Sequence, residues 1–316
     1  MEAIRNVLAI PFGFILSLFY MLTQNYLLSL LLLTLVFKLV LIPSAINQQK
    51  GTARQVRFQA KIKKIQEMYK GDNMRIQQET QALYKREGFN PMSSGCAPML
   101  IQFPVMIGLY GVIYAPLKNV LRLSEAVIQK LTEVYLTLPN IAANASNSVN
   151  TAQIGILGRF AEVKALIPDL DGHVIEQIEK LARSFMLGPI NLADRPDFSE
   201  PSILWLIPIL SGVTAMLSSV FMYIKQRQTN PQMAKNPTMG CMMLTSPLMS
   251  VYFTFLFPAG VGAYWIMSNV LAFIQTVVLN FTHSPRKVIA QVMIDETVER
   301  RSRENNIKKL SELVRE

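Results

Sequence analysis

Histidine and cysteine are almost missing from this sequence, with two of each among 316 residues, and that scarcity closes off several kinds of chemistry. His173 and His283 both lie outside the apolar runs, so a zinc centre or a histidine-based hydrolase has almost no material to work with. Cys96 in "SSGCAPML" and Cys241 in "TMGCMMLT" show neither metal-ligand spacing nor a lipid-attachment signal, and they form no disulfide framework. A GxxxxGK[ST] phosphate loop is absent too, and with it any sign of nucleotide hydrolysis. Charged residues are scarce at 16% while apolar ones reach 51%, a balance that a soluble domain of this length rarely shows. The formal charge is nonetheless +10. A membrane protein with basic aqueous segments accounts for both facts.

Five stretches are long and apolar enough to cross a hydrocarbon core of about 30 Å: residues 26–45, 97–115, 202–224, 239–257 and 261–279. Ahead of them stands "VLAIPFGFILSLFYML", which is short and carries Pro11 and Gly13 early. It reads as a helix lying in the membrane interface, with a sixth span as the alternative. A cleaved signal peptide fits less well, because one arginine stands beside Glu2 and no small-residue cleavage site precedes Asn25.

Lysine and arginine set the orientation. Between the first two spans lie ten of them, including Lys50, Arg54, Arg57, Lys61, Lys63 and Lys64, against four acids. The connection after the third span carries Lys225, Arg227 and Lys235 with no acid, and the tail opens with Arg286 and Lys287. These segments belong on one side, the cytoplasmic one, which places the N-terminus outside and the C-terminus inside. The expected organisation is an all-α integral membrane protein. It comprises an interfacial helix (1–24), a first span (25–46), a cytoplasmic antiparallel helical hairpin (47–95), a second span (96–115), an extracytoplasmic insertion (116–201), third to fifth spans (202–284) and a basic cytoplasmic tail (285–316). The hairpin follows from Phe58, Ile62, Ile65 and Tyr69 at helical spacing, a break at "KGDN", and a second helical stretch through Ile76, Thr80 and Leu83. Within the insertion, helix-like patterns cover about 124–136 and 155–185.

Polar residues inside the spans are the functional candidates. Lys38 interrupts "LTLVFKLVLIP", and a lysine at mid-helix costs roughly 2.5–3.5 kcal/mol on insertion-derived scales. Its four-carbon stem could carry the ammonium to the headgroups, since it stands near the cytoplasmic end; otherwise it faces into a wet interior. Thr34 shares its face, one turn away. Gln102, Ser211, Thr214 and Asn269 lie in other spans, and prolines at 43, 98, 104, 208 and 247 free backbone carbonyls at membrane depth. Together they favour a bundle around a partly polar, hydrated cavity, although single Ser and Thr residues also serve as interhelical glue.

Three blocks carry a family resemblance: "QNYLLSLLLLTLVFKLVLIP", "QETQALYKREGFNPMSSGCAPMLIQFPVMIGLYGVI" and "FPAGVGAYWIMSNVLAFIQ". In that order they resemble the YidC family of membrane protein insertases, in its short bacterial form, with mitochondrial and chloroplast relatives. The resemblance covers about residues 9–115 and 200–285. It implies a groove open to cytoplasm and lipid that moves polar segments of nascent membrane proteins across the bilayer without ATP or any cofactor. Lys38, Thr34, Gln102, Ser211, Thr214 and Asn269 would line this groove, and Tyr264 and Trp265 would touch the substrate helix. Ribosome, Sec channel or anionic lipids would meet Arg54, Arg57, Lys61, Lys63, Lys64, Arg300, Arg301, Lys308 and Lys309. The implied setting is the bacterial cytoplasmic membrane. Two departures stand out: lysine occupies the intramembrane position where the family usually has arginine, losing the planar fork, and the 116–201 segment is long. A small-solute or ion transporter is the alternative, but the internal symmetry it predicts is not evident.

Overall fold

The computed structural model describes residues 2–86, 97–139, 141, 145–229, 237–282 and 285–313. It is helical almost throughout. The chain forms two compact units, one of Met1–Val40, Gln102–Arg227 and Pro231–Ile274, the other of Leu41–Ile101, Gln228–Asn230 and Gln275–Glu316.

In the first unit, α1 (Glu2–Thr23) and α2 (Tyr26–Val40) form a helical hairpin. The turn works because Gln24 adopts φ 52° and Asn25 Oδ1 accepts from Leu28 N at 3.0 Å, capping α2. Ala9, Phe12, Leu16 and Tyr20 make one buried stripe on α1, and the Phe12 ring stacks on Phe37 of α2 at 4.2 Å. The other faces of α1 keep Ile10, Phe14, Leu18 and Leu22 exposed, so the helix is apolar all round. Such a helix belongs in hydrocarbon or in a core.

Helix α5 (Ala97–Tyr114) approaches α1 through glycine: a Cβ on Gly108 would lie 2.7 Å from the Phe12 ring, and one on Gly111 2.8 Å from Ala9. Three further long helices follow the 116–201 segment. They are α11 (Leu206–Thr229), entered through a 3-10 turn at Ile203–Trp205, α12 (Pro237–Leu256) and α13 (Ala259–Thr282). Gly212 and Gly262 let this trio close up, since an added Cβ would lie 2.4 Å from Val251 and 2.3 Å from Ile207 respectively. Outward, α11 exposes Ile209, Val213, Leu217 and Val220, and α13 exposes Val270, Ile274 and Val278.

All five expected span positions are therefore helical. Among the described residues, two helices are long and apolar enough to cross a membrane, Ile203–Lys225 and Ala259–Thr282, and a third if Tyr26–Val40 and Ile42–Gln48 form one broken span. Pro104–Tyr114 and Pro247–Leu256 qualify only as shorter apolar helices. The chain is thus an all-α membrane protein.

The 116–201 segment is a small fold of its own making. It holds α6 (Pro116–Asn119), α7 (Glu125–Thr137), α8 (Ala145–Gly158), α9 (Phe160–Ala165), α10 (Gly172–Ser184) and a two-stranded hairpin of β1 (Met186–Leu187) and β2 (Ile190–Asn191). The helical pattern over 155–185 is broken in fact, because Ile167, Pro168 and Leu170 leave the helix and Asp171 starts a new one by accepting from His173 N at 2.9 Å. Its apolar side chains (Leu131, Ile154, Val163, Ile178, Leu181, Phe185) belong to the same buried cluster as α1, α2 and α13. Backbone amides seal the junction: Ala259 N donates to Asp194 O and Gly260 N to Leu192 O, both at 2.8 Å. The first, otherwise unpaired donors of α13 are satisfied this way.

In the second unit, α3 (Ile42–Met68) and α4 (Asn73–Arg86) pack together through a short turn. Gly71 turns the chain at φ +101°, and Asp72 Oδ1 accepts from Arg75 N at 3.0 Å. Phe58, Ile62 and Leu83 fill the small core, with the Phe58 and Tyr84 rings edge-on at 6.1 Å. The tail is one helix, α14 (Pro285–Leu313), which packs on α3 and buries Val288.

Candidate functional site

Lys38 occupies the last turn of α2, three residues before the helix breaks at Leu41. The break has a clear cause. Pro43 has no amide hydrogen and its ring clashes with the carbonyl four residues back, so the turn before it loses a hydrogen bond. A cation in a last turn is favoured by the helix dipole and by carbonyls that lack intrahelical donors. The Lys38 side chain is half-buried and makes no hydrogen bond or ion pair among the described residues. One turn earlier, Thr34 is 2% exposed and spends its hydroxyl on Leu30 O at 2.7 Å. Thr34 therefore contributes a buried methyl and a satisfied hydroxyl beside the cation.

The structure brings Ser211, Thr214 and Asn269 together. Asn269 Nδ2 on α13 donates to Ser211 O at 3.3 Å and to Thr214 Oγ1 at 3.4 Å, both on α11. Ser211 is fully buried and its hydroxyl pairs with Ser250 Oγ of α12 at 2.6 Å. Thr254, also buried, bonds Ser250 O at 2.6 Å. Three helices are thus joined by one polar seam, with Ser250 and Thr254 as members that the choice from sequence left out. Both had been visible as polar residues in a span; what was missing was which of them met. Among the described residues no hydrogen bond joins this seam to Thr34 or Lys38. The Gln102 side chain lies outside the described residues.

Tyr264 and Trp265 stand in the second turn of α13. Tyr264 is 4% exposed and belongs to the core. Trp265 is half-buried in an aromatic nest, meeting Phe253 and Phe257 at 5.9 Å and Tyr110 of α5 at 6.3 Å, in edge-on arrangements. Of this pair Trp265 retains the partial exposure that a contact with a passing helix needs.

On the hairpin, Lys63 pairs with Glu67 at 3.3 Å and Lys61 lies 5.8 Å from the centre of the Phe58 ring, while Lys64 is exposed. On α14, Arg300 pairs with Glu304 at 3.7 Å and Arg301 is exposed. Exposed i,i+4 pairs of this kind contribute only about 0.3–0.5 kcal/mol, so the pairs of Lys63 and Arg300 are readily exchanged for another anion. The side chains of Arg54, Arg57, Lys308 and Lys309 lie outside the described residues. Among the described residues no group of three His, Cys, Asp or Glu is placed to hold a metal.

Comparison with known proteins bears directly on this geometry. A family described as "60Kd inner membrane protein" matches residues 18–286. The chain is 32% identical over 253 residues to the chloroplast inner membrane protein PPF-1 of Pisum sativum, covering 80% of this chain and 48% of that one. It is 25% identical to the membrane protein insertase YidC of Rickettsia bellii, covering 85% and 38%, and 24% identical to the insertase MisCA of Bacillus subtilis, covering 80% and 69%. The chain spans about half the length of the chloroplast relative, and less of the rickettsial one.

Proposed function

The chain belongs to the 60Kd inner membrane protein family, and on that premise we propose that it is a membrane protein insertase of the bacterial cytoplasmic membrane. The observation that carries the reading is Lys38: a half-buried cation on an apolar helix, with no anionic partner among the described residues. An unpaired ammonium there is costly, and a transient acidic partner offsets the cost.

The working parts follow from that cost. Each acidic group carried into hydrocarbon costs roughly 2.5–3.5 kcal/mol, whereas a strongly apolar residue gains only about 0.3–0.6 kcal/mol. An ammonium and a carboxylate 4 Å apart attract by about 4 kcal/mol at an effective dielectric constant near 20, against about 1 kcal/mol in water. A partly hydrated groove beside Lys38 therefore offsets most of the penalty for one acid. The polar tail of a nascent membrane protein enters from the cytoplasm, pauses at Lys38 and Gln102, and passes outward while its apolar segment slides into lipid along Trp265. Apolar transfer supplies the driving force, with no ATP and no covalent chemistry. In this reading five spans cross the bilayer, α1 lies within the outer leaflet and the basic hairpin faces the cytoplasm. There Lys61, Lys63, Lys64, Arg300 and Arg301 meet the ribosome, the Sec channel or anionic lipid. The polar seam of Ser211, Thr214 and Asn269 holds the groove's far wall rather than binding the tail itself.

The test is insertion of a short-tailed single-span substrate in cells depleted of the wild-type protein. Lys38→Arg should sustain insertion, Lys38→Ala should reduce it, and Lys38→Glu should abolish it for acidic tails. Normal insertion by all three would refute the charge mechanism.

A further inference from the structure

A cavity of about 480 Å³ lies where α5, α12 and α13 end against the 116–201 segment. Its wall is two-natured. Ile154, Leu256, Phe257 and Pro258 form an apolar side, and Arg5, Arg195, Tyr114 and Tyr135 form a polar one. No acidic side chain lines it among the described residues. Both guanidinium charges act on the Tyr114 hydroxyl. Arg195 makes no hydrogen bond or ion pair among the described residues. Arg159 adds positive potential at Tyr135, although its own charge is held by Glu162 and by Pro139 O at 3.1 Å. The neighbouring acid, Asp194, is not among the described lining residues, and its carboxylate accepts from Asn191 Nδ2 at 3.5 Å.

We propose that this cavity is a binding site for the anionic headgroup of a phospholipid. The Arg195 guanidinium presents a fork of donors that matches phosphate oxygens, Arg5 adds a second positive charge to the wall, and two phenol hydroxyls complete a set with no carboxylate among the described lining residues. The volume falls within the range of small-molecule pockets, and an apolar wall beside a cationic one suits a phosphodiester with its glycerol and the first acyl carbons. Position favours a lipid over a free ion: three apolar helices end here, so the cavity opens at a boundary between hydrocarbon and water. Leu256, 39% exposed, continues the apolar wall outward. The site rests on the chain being membrane-embedded and does not require insertase activity. An occupant there would bridge α1, α5, α12 and the outer segment.

The test uses the full chain in neutral detergent, titrated with phosphatidylglycerol whose acyl chains are brominated, and with the matching phosphatidylcholine. Tryptophan quenching is the readout, because Trp265 meets the cavity-lining Phe257 ring at 5.9 Å. Phosphatidylglycerol should quench at about tenfold lower concentration than phosphatidylcholine, the worth of one charge-assisted contact. Arg195→Gln should remove that preference, and Arg195→Lys should keep most of it. Equal quenching by the two lipids, or a preference that survives Arg195→Gln, overturns the proposal. Inorganic phosphate that displaces the lipid at equal concentration would make this a free-phosphate site and overturn the lipid assignment. Displacement by an acidic peptide at lower concentration than lipid would assign it to polypeptide carboxylates. Lys38 variants, normal in this assay whatever they do to insertion, keep the two readings separable.

Discussion

Replacing Phe185 with alanine asks whether the outer segment and the membrane helices share one core. Phe185 is 1% exposed, and its ring lies 4.2 Å from that of Tyr26, fully buried at the start of α2. Truncating a buried phenylalanine costs about 3–5 kcal/mol, through lost transfer energy and the cavity left behind. About 0.5–1.5 kcal/mol of this belongs to the ring pair. An independently folding outer segment would lose the larger sum but not the smaller one across to α2. The decisive quantity is thus the coupling with Tyr26→Ala, expected at about 0.5–1.5 kcal/mol in a double-mutant cycle. Tyr26→Phe isolates the ring from its hydroxyl, which is buried with no hydrogen bond among the described residues, so that variant should be neutral or slightly stabilising. Thermal unfolding of the full chain in detergent, followed by tryptophan emission, reads these differences from Trp205 and Trp265, which sit among the membrane helices. At roughly 2–4 °C per kcal/mol, Phe185→Ala should lower one common midpoint by about 6–20 °C. If tryptophan emission keeps its midpoint while circular dichroism reports an earlier, separate transition, the shared core is refuted.

Three other perturbations bear on different parts of the molecule. Gly262→Ala should destabilise by about 1–3 kcal/mol, because the new methyl would fall 2.3 Å from Ile207 Cγ2 and 2.6 Å from Thr254 Cγ2; an unchanged thermal midpoint would mean that α11 and α12 yield. Gly71→Ala meets no atoms within 4 Å, so only its φ of +101° matters; a backbone cost of about 1–2 kcal/mol should speed hydrogen exchange in α4 roughly five- to thirtyfold, which mass spectrometry of the hairpin would detect. Burial raises the Asp194 carboxyl above its ordinary value, so the fold prefers it protonated and stability falls as pH rises from about 4 through the raised value. Asp194→Asn should flatten that part of the midpoint-against-pH curve, and a wild-type curve that rises over the same interval would contradict the sign.

Hydropathy and spacing located the helices because each apolar run has one period and one length. They did less well where a local exception decides the boundary. The run 26–45 looks continuous, yet Pro43 ends α2 at Val40 and donates the remaining turns to a 27-residue α3. The hairpin was legible from Phe58, Ile62 and Leu83, whose burial is local. The outer segment was less so, since its helices were visible but not that Phe185 and Leu192 reach the membrane helices. Among site residues, Ser211, Thr214 and Asn269 were chosen for polarity in an apolar setting, and they do converge. Their partner Ser250 is as polar as they are, but only the fold shows which polar residues meet. Arg5, Tyr114, Tyr135 and Arg195 gave no signal at all: residues nearly two hundred positions apart share a wall only after the chain has folded.

The two amide bonds that tie Ala259 and Gly260 to Asp194 and Leu192 have a mechanical meaning. They pin one tip of α13 to the outer segment, as an axle fixes one end of a lever. Sliding α13 along its axis would tear both bonds at once, whereas tilting about that tip strains neither much. Whatever play this helix has is therefore angular, and it grows with distance from Ala259.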